Sequence, residues 1–395
     1  MLLYETRLPK FSMYCPSCFY FRLGGISDGS LITAPTPRNN TTSSMEIREN
    51  NLQTTMPITL SPSSSDSRKF KVAAVQAEPV WLDLQGGVEK TIRIIREAAA
   101  EGAKIIGFPE VFIPGYPWTP WSNTFVEAAP VLKQYQANSM ALHSPEMERI
   151  CEAVKEADVN IVLGFAERDG ASLYIAQVTI GQDGTILNHR RKIKPTHYEK
   201  TVFGDGSAQS IYNVVQTPYG RLGSLNCWEH IQPWLKTHFY AQHPQIFVGG
   251  WWPAFPPHLG NSPYIVSGEA SSRMTQLVSM EGGCFGLVCC HVVSEEGAEK
   301  MKMKGFPWFQ FPGGGFSTIY GPDGSTLAPP VDPGTEAVLF DLLHTVVNGK
   351  NWAPARYPGK EEAEADVVKQ NEVPNAANSF SYKANLPENG AQGKE

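Results

Sequence analysis

Between residues 70 and 341 the hydrophobic pattern alternates between a period near two and one near 3.6. Residues 70–77 are a run of β-branched and small side chains, which predicts a strand. Residues 86–101 then carry Val88, Ile92, Ile94, Ile95 and Ala98 to Ala100 at near-helical spacing, predicting an amphipathic helix that Gly102 stops. A strand over 104–109 runs into Glu110 and completes a β-α-β unit. A second unit follows, with a helix over 145–157 and a strand over 160–168. Residues 172–181 and 185–194 flank Gly181-Gln182-Asp183-Gly184, the signature of a hairpin. The second half repeats the alternation, with a strand over 220–226, a helix over 230–243, a strand over 245–250, a helix over 262–282 and a strand over 284–293. Strands over 316–320 and 325–328 flank Gly321-Pro322-Asp323-Gly324, and 336–341 is the last core strand.

Helix-strand units interleaved with hairpins predict an α/β fold, a mixed sheet with helices on its outer face. Two such layers packed face to face would make a four-layer αββα sandwich. Residues 1–66 have neither period and end in the tract Ser61-Pro62-Ser63-Ser64-Ser65-Asp66-Ser67, so they are expected to be a disordered extension. Met56, about a dozen residues before the first strand, is a candidate start beside Met1. The ordered domain is expected over 67–345, and 346–395, polar from about Gly359 onward, is expected to be a divergent and largely disordered tail.

Composition narrows the function. The chain has 395 residues, 42% of them hydrophobic, enough for a large core. A net charge of −6 leaves no basic footprint for nucleic acid, and no stretch approaches the roughly 20 apolar residues of a membrane span. A small-molecule site is the expectation. Seven cysteines without a dense spacing pattern, and an opening segment interrupted by Glu5 and Arg7, point to a reducing, cytoplasmic setting. Cys15 and Cys18 form one C-x-x-C, half of a zinc site, and Asn39 and Asn40 form sequons read as coincidental. No metal or cofactor is expected.

The chemistry gathers at three segment ends. Cys227 stands where the strand pattern of 220–226 turns into Trp228-Glu229-His230, and a thiol presented at such a turn suits a nucleophile. A free thiol with a pKa of ~8.5 is only partly ionised near neutrality, so its proton needs an acceptor. Glu110, framed by Phe108, Pro109, Val111 and Phe112, has the apolar surroundings that raise a carboxylate toward that role. A lysine would then offset the negative charge that develops on the attacked group. Lys192 and Lys194 share one strand parity, and period-two geometry does not choose between them. Cysteine is also among the residue types most often buried inertly, the reading given to Cys151, Cys284, Cys289 and Cys290. Tyr116, Trp118, Trp121, Tyr198, Trp228, Trp251 and Trp252 lie beside these segments in sequence and could wall an apolar pocket, with Tyr116, Trp118 and Trp228 chosen as substrate-binding. Gly313-Gly314-Gly315 reads as a loop.

Phe108-Pro109-Glu110-Val111-Phe112-Ile113-Pro114-Gly115-Tyr116-Pro117, Arg191-Lys192-Ile193-Lys194-Pro195-Thr196-His197-Tyr198-Glu199-Lys200 and Asn226-Cys227-Trp228-Glu229-His230 together resemble the nitrilase branch of the nitrilase superfamily, the carbon-nitrogen hydrolases. Phe203-Gly204-Asp205-Gly206, residues 280–285 and residues 311–317 extend the similarity from about Phe70 to Leu343. The resemblance implies the αββα sandwich, a Glu110-Lys192-Cys227 triad with Lys192 rather than Lys194, and Glu199 as a second carboxylate that positions the lysine and can relay protons. It implies hydrolysis of organic nitriles to carboxylic acid and ammonia through a cysteine thioimidate and an acyl-thioester. Cyanide hydratase or other amide-forming chemistry, an amidase, and an inactive interaction scaffold are the alternatives. His230 after Cys-Trp-Glu points to organic nitriles over cyanide, and Trp228 away from an amidase. A homodimer or larger homo-oligomer is implied too, although Asn351-Trp352-Ala353-Pro354-Ala355-Arg356-Tyr357-Pro358 departs from the segment the long-chain members carry there.

Overall fold

The structure, a computed structural model, describes residues 67–255, 263–306 and 309–346. The expectations for residues 1–66, including Cys15, Cys18 and the sequons, and for the tail beyond 346 fall outside the described residues.

The first half contains β1 (Ser67–Ala77), α1 (Leu84–Ala100), β2 (Ala103–Gly107), α2 (Thr119–Ser122), α3 (Phe125–Ala137), α4 (Pro145–Ala157), β3 (Asn160–Asp169), β4 (Ser172–Ile180) and β5 (Ile186–Arg191). The second contains β6 (Val214–Thr217), β7 (Gly220–Asn226), α5 (Pro233–Ala241), β8 (Ile246–Trp251), α6 (Gly268–Gly282), β9 (Phe285–Val293), α7 (Glu295–Lys300), β10 (Gly313–Gly314), β11 (Thr318–Tyr320), β12 (Thr326–Ala328) and β13 (Ala337–Val346). Local chemistry sets the helix ends. Asp83 caps α1 through the Gly86 N–H at 3.0 Å, Ser144 caps α4 ahead of Pro145 at its first position, and Ser267 caps α6, which Gly283 ends in the left-handed region.

The strands follow the order β5-β4-β3-β2-β1-β9-β8-β7-β6, with β13 antiparallel to β1 and β11 antiparallel to β9. The two halves of this path meet through only two residue pairs, Gln76 with Cys290 and Ala77 with His291. Elsewhere they pack face to face, as the alternation along each strand shows. Val72, Ala74, Ile105 and Val162 point inward against Leu222, Ile246, Val248, Leu287 and Cys289. Their neighbours Ala73, Val75, Ile106, Ile161 and Leu163 point outward under α1 and α4. In the other half Leu225 and Phe247 point outward under Leu235 and Phe239 of α5 and Val278 of α6. The layers are therefore helix, sheet, sheet, helix, the sandwich expected from the sequence.

Five elements were not expected from periodicity: α2, α3, α7, β6 and β10. α3 contains Pro130 and exposes Phe125 and Val126 in its first turn, so its apolar positions do not form one stripe. β6 is four residues long. Gly313 and Gly314, read as loop, form the short strand β10 against β9.

Candidate active site

Four chain segments deliver one buried group of side chains. Glu110 follows β2 in a tight turn whose backbone lies against Gly164 of β3. A Cβ on Gly164 would sit 2.3 Å from the Pro109 carbonyl oxygen, so the absent side chain is what lets this turn approach. Lys192 is the first residue after β5, and its N–H donates to the Ile175 carbonyl of β4 at 2.7 Å. Glu199 sits in the 3-10 turn His197–Thr201, and Cys227 opens the 3-10 turn Cys227–Ile231 directly after β7. Cys227 has φ of +43°, Val111 +51° and His197 +48°. Non-glycine residues rarely adopt this region, least of all β-branched ones, so strained backbone lies at or close to Glu110, Glu199 and Cys227.

The side chains converge. Lys192 Nζ donates to Glu110 Oε1 at 2.9 Å and to Glu199 Oε2 at 2.8 Å, with all three residues buried. Tyr116 Oη donates to Glu199 Oε1 at 2.8 Å, and the Thr196 N–H donates to Glu199 Oε2 at 2.7 Å. Glu110 Oε2 is buried without a hydrogen-bond partner. Donor atoms of Glu110, Glu199 and Cys227 lie within 4.8 Å of one another, a spacing a divalent cation could accept. The Lys192 ammonium, bonded to both carboxylates, already supplies the positive charge there.

Burial sets the electrostatics. It lifts the Glu110 carboxyl from 4.5 to about 8, opposed by Lys192 and reinforced by Glu199. Burial also pushes the Cys227 thiol well above its ordinary range, against the Lys192 ammonium and the Trp228 N–H. Lys192 is desolvated too, yet the two carboxylates outweigh that and hold its ammonium well above the ordinary lysine value. The resting group is a charged lysine, a thiol and a carboxylic acid with a free oxygen. Lys194, by contrast, is exposed and pairs with Asp205. β5 ends at Arg191, so strand parity does not govern either lysine.

Aromatic rings close one side. Tyr116 packs 5.0 Å from Trp118, Trp118 stacks on Trp252 at 4.9 Å, and both belong to the same buried cluster as Cys227. Trp228 is half-buried, its ring 4.9 Å from His197. Trp121 and Tyr198 pair at 5.1 Å on the outer rim. Trp251 lies under His230 at 4.7 Å instead, and its indole N–H donates to Thr275 on α6. The thiols of Cys284, Cys289 and Cys290 are buried, and burial raises all three.

Sequence reasoning passed over several residues. Glu229 is fully buried and accepts both terminal nitrogens of Arg190, at 2.6 and 2.7 Å, together with the Asn226 N–H at 2.9 Å and the Ile193 N–H at 3.1 Å. His230 Nδ1 meets the Cys227 carbonyl at 2.6 Å, and burial lowers its pKa to about 4, so the ring is neutral and donates. His291 of β9 meets the Glu110 carbonyl oxygen at 2.5 Å. Asn226-x-x-Glu229 has capping-box spacing, a legible sign for Glu229. Arg190 sat within a basic run that reads as a solvated edge, and nothing local marks His291.

The chain is similar to known proteins over most of its described length. The family model described as carbon-nitrogen hydrolase matches residues 71–344. A protein of Armillaria gallica named cyanide hydratase is 75% identical over 346 residues, 81% of this chain and 97% of the relative. A nitrilase of Talaromyces marneffei is 49% identical, covering 69% of this chain and 86% of its own, and an arylacetonitrilase of Hypocrea virens is 44% identical over 71% and 86%. Among solved structures, a carbon-nitrogen hydrolase of Helicobacter pylori superposes with a TM-score of 0.54 at 17% identity, covering 70% of this chain and 89% of that one. Nit3 of Saccharomyces cerevisiae, a member of the nitrilase superfamily, superposes at 0.53 with 16% identity, over 73% and 94%. These last two carry the fold alone. With the αββα layers, the match across nearly the whole described chain and relatives this similar, the chain belongs to the carbon-nitrogen hydrolase family, in the nitrilase branch of the nitrilase superfamily.

Proposed function

We propose that Cys227 is the nucleophile of a nitrile-converting enzyme, Glu110 its general base and acid, Lys192 the charge that stabilises the reacting nitrogen, and Glu199 the group that orients Lys192. The observation that carries this reading is the buried ammonium shared by two carboxylates beside a thiol on a strained turn. Once the resting group has lost one proton and Glu110 is ionised, the thiol proton passes to the unpartnered Oε2 of Glu110 as the sulfur bonds to the nitrile carbon. Glu110 returns that proton to the nitrogen, giving a thioimidate. Two of the three Lys192 N–H bonds are committed to carboxylates, which leaves the third for this nitrogen. Glu110 next takes a proton from water as the water oxygen adds to the same carbon. Expulsion of the sulfur from the tetrahedral species, with the proton returned to it, gives the amide and restores the thiol. Protonation and loss of the nitrogen as ammonia gives a thioester instead, and a second water releases the acid.

Cyanide is the preferred substrate in this proposal and formamide the product. Its support is the 75% identical relative named cyanide hydratase and the enclosure of Cys227, 2% exposed, among large rings that suit a one-carbon nitrile. His230 and the 44–49% identical relatives favour the second reading, organic nitriles hydrolysed to acids. Purified protein offered cyanide, an aliphatic dinitrile and phenylacetonitrile separately, with formamide, amide, acid and ammonia quantified beside Cys227→Ala, tests both. Formamide from cyanide that vanishes in the variant supports the first reading, and acid with ammonia from an organic nitrile supports the second. No product from any of them removes the enzymatic proposal. Among the described residues no helix is long and apolar enough to cross a membrane. A cytoplasmic setting, supported by five free cysteines among the described residues, and a homo-oligomeric assembly complete the proposal.

A further inference from the structure

The carboxylate of Glu229 receives four donors. Two come from the Arg190 guanidinium, and two are the backbone N–H groups of Asn226 and Ile193, the residues immediately before Cys227 and immediately after Lys192. Asn226 ends β7 and Ile193 lies two residues past β5, and these strands lie near opposite ends of the hydrogen-bonded path, so no strand ladder joins them directly. Arg190 adds a second tie between the same halves, donating to Gln177 of β4 at 2.9 Å, whose amide donates to the Leu225 carbonyl of β7 at 3.3 Å.

We propose that Glu229, braced by Arg190, is a positioning residue that fixes the sulfur of Cys227 relative to the ammonium of Lys192. Two observations make it more than a packed ion pair. Its two backbone contacts fall on residues flanking the reacting side chains, and Cys227 sits at φ of +43°, a conformation that persists only where the surroundings constrain it. A carboxylate accepting the Asn226 N–H from three residues ahead holds the chain at the entry to that turn. Because a displacement near 1 Å between reacting groups can cost about 100-fold in rate, a clamp of this kind acts on turnover before it acts on substrate affinity.

Glu229→Asp tests this most directly: it keeps the charge that Arg190 needs but withdraws one methylene, so the shortened group no longer spans both backbone amides. The inference rests on the reading of Glu110, Lys192 and Cys227 as the reacting groups, so wild type and Cys227→Ala are measured alongside. Expected is a fall in kcat of roughly 10- to 100-fold with KM within about twofold, and a matching fall in the rate at which iodoacetamide alkylates Cys227, in protein whose circular dichroism is that of wild type. The double variant Glu229→Gln/Arg190→Met removes both charges together. It is expected to fold while kcat stays low, where a purely structural pair would let activity follow the folded fraction. Wild-type kcat and alkylation in folded Glu229→Asp, or failure of both variants to fold, overturns the inference. An inactive wild type strikes the nitrile reading instead, with the alkylation rates still reporting on the clamp.

Discussion

Glu110 and Glu229 are both fully buried beside a cation, and they are held in opposite ways. The Glu229 carboxylate has both oxygens bonded to donors. Burial works against its charge, yet Arg190 and the two backbone amides outweigh burial and keep it below the ordinary carboxylate range. Glu110 has one oxygen on Lys192 and the other without a partner, shares that lysine with Glu199, and is lifted to about 8. A carboxylate saturated with donors stays ionised and holds structure. One left half-satisfied keeps a proton to move, which is what acid-base work at nitrogen requires.

The largest effects break the reactive side of this comparison. Cys227→Ala is expected to lower turnover by roughly 10⁴-fold or more, and Glu110→Gln by roughly 10²- to 10⁴-fold, both with wild-type circular dichroism. Turnover surviving in either folded variant would move the chemistry elsewhere. On the other side, Glu229→Ala leaves the Arg190 charge buried and unpaired. A stability loss of about 3–5 kcal/mol by urea denaturation is expected, against a much smaller one for Glu110→Gln. Equal losses would mean the two carboxylates do not divide the labour in this way.

The two groups also give pH dependences of opposite sign. Glu110 binds its proton more tightly folded than unfolded, so its stabilising contribution is complete below about pH 4.5 and is lost as pH rises through about 8. Glu229 has a lowered value, so its contribution is present above about pH 4.5 and is lost as pH falls through that lowered value. Losing one proton from the Glu110–Cys227 pair creates the reactive form, whichever of the two gives it up. kcat/KM is therefore expected to rise about tenfold per pH unit below an apparent pKa near 8 that belongs to the pair. A flat profile from pH 6 to 9 removes the claim. Glu110→Gln should also lose the fall in melting temperature over that range.

Much of this arrangement was legible in the chain. The helix over 145–157 and the strand over 220–226 coincide with α4 and β7, because Ser144, Pro145 and the Tyr219-Gly220 turn punctuate clear periods. Glu110, Lys192, Glu199 and Cys227 could be singled out since each lies in a dense local motif at an element end. Long-range relations were not legible. Arg190 looked like a solvated edge because its burial depends on β7 and β4, and His291 reaches the Glu110 carbonyl from 181 residues away. The 230–243 helix loses its first turn to the 3-10 segment Cys227–Ile231, where Pro233 restarts the chain as α5.

The smallest expected effect sharpens the comparison at Glu199, which stands between the two extremes. Its oxygens are taken up by Lys192, Thr196 and Tyr116, and its donor set resembles that of Glu229 more than that of Glu110. Tyr116→Phe deletes one donor, from Oε1, and leaves the Lys192 and Thr196 bonds on Oε2. A hydrogen bond to a charged group contributes about 1.5–3 kcal/mol, so kcat is expected to fall about tenfold, with the apparent pKa near 8 retained. Retention is the informative part. If Glu199 only orients Lys192, weakening its anchorage slows turnover without changing which group titrates. A loss of the limb in Tyr116→Phe would instead make Glu199 a partner in the proton transfer, and the division between saturated and half-satisfied carboxylates would run through this residue too.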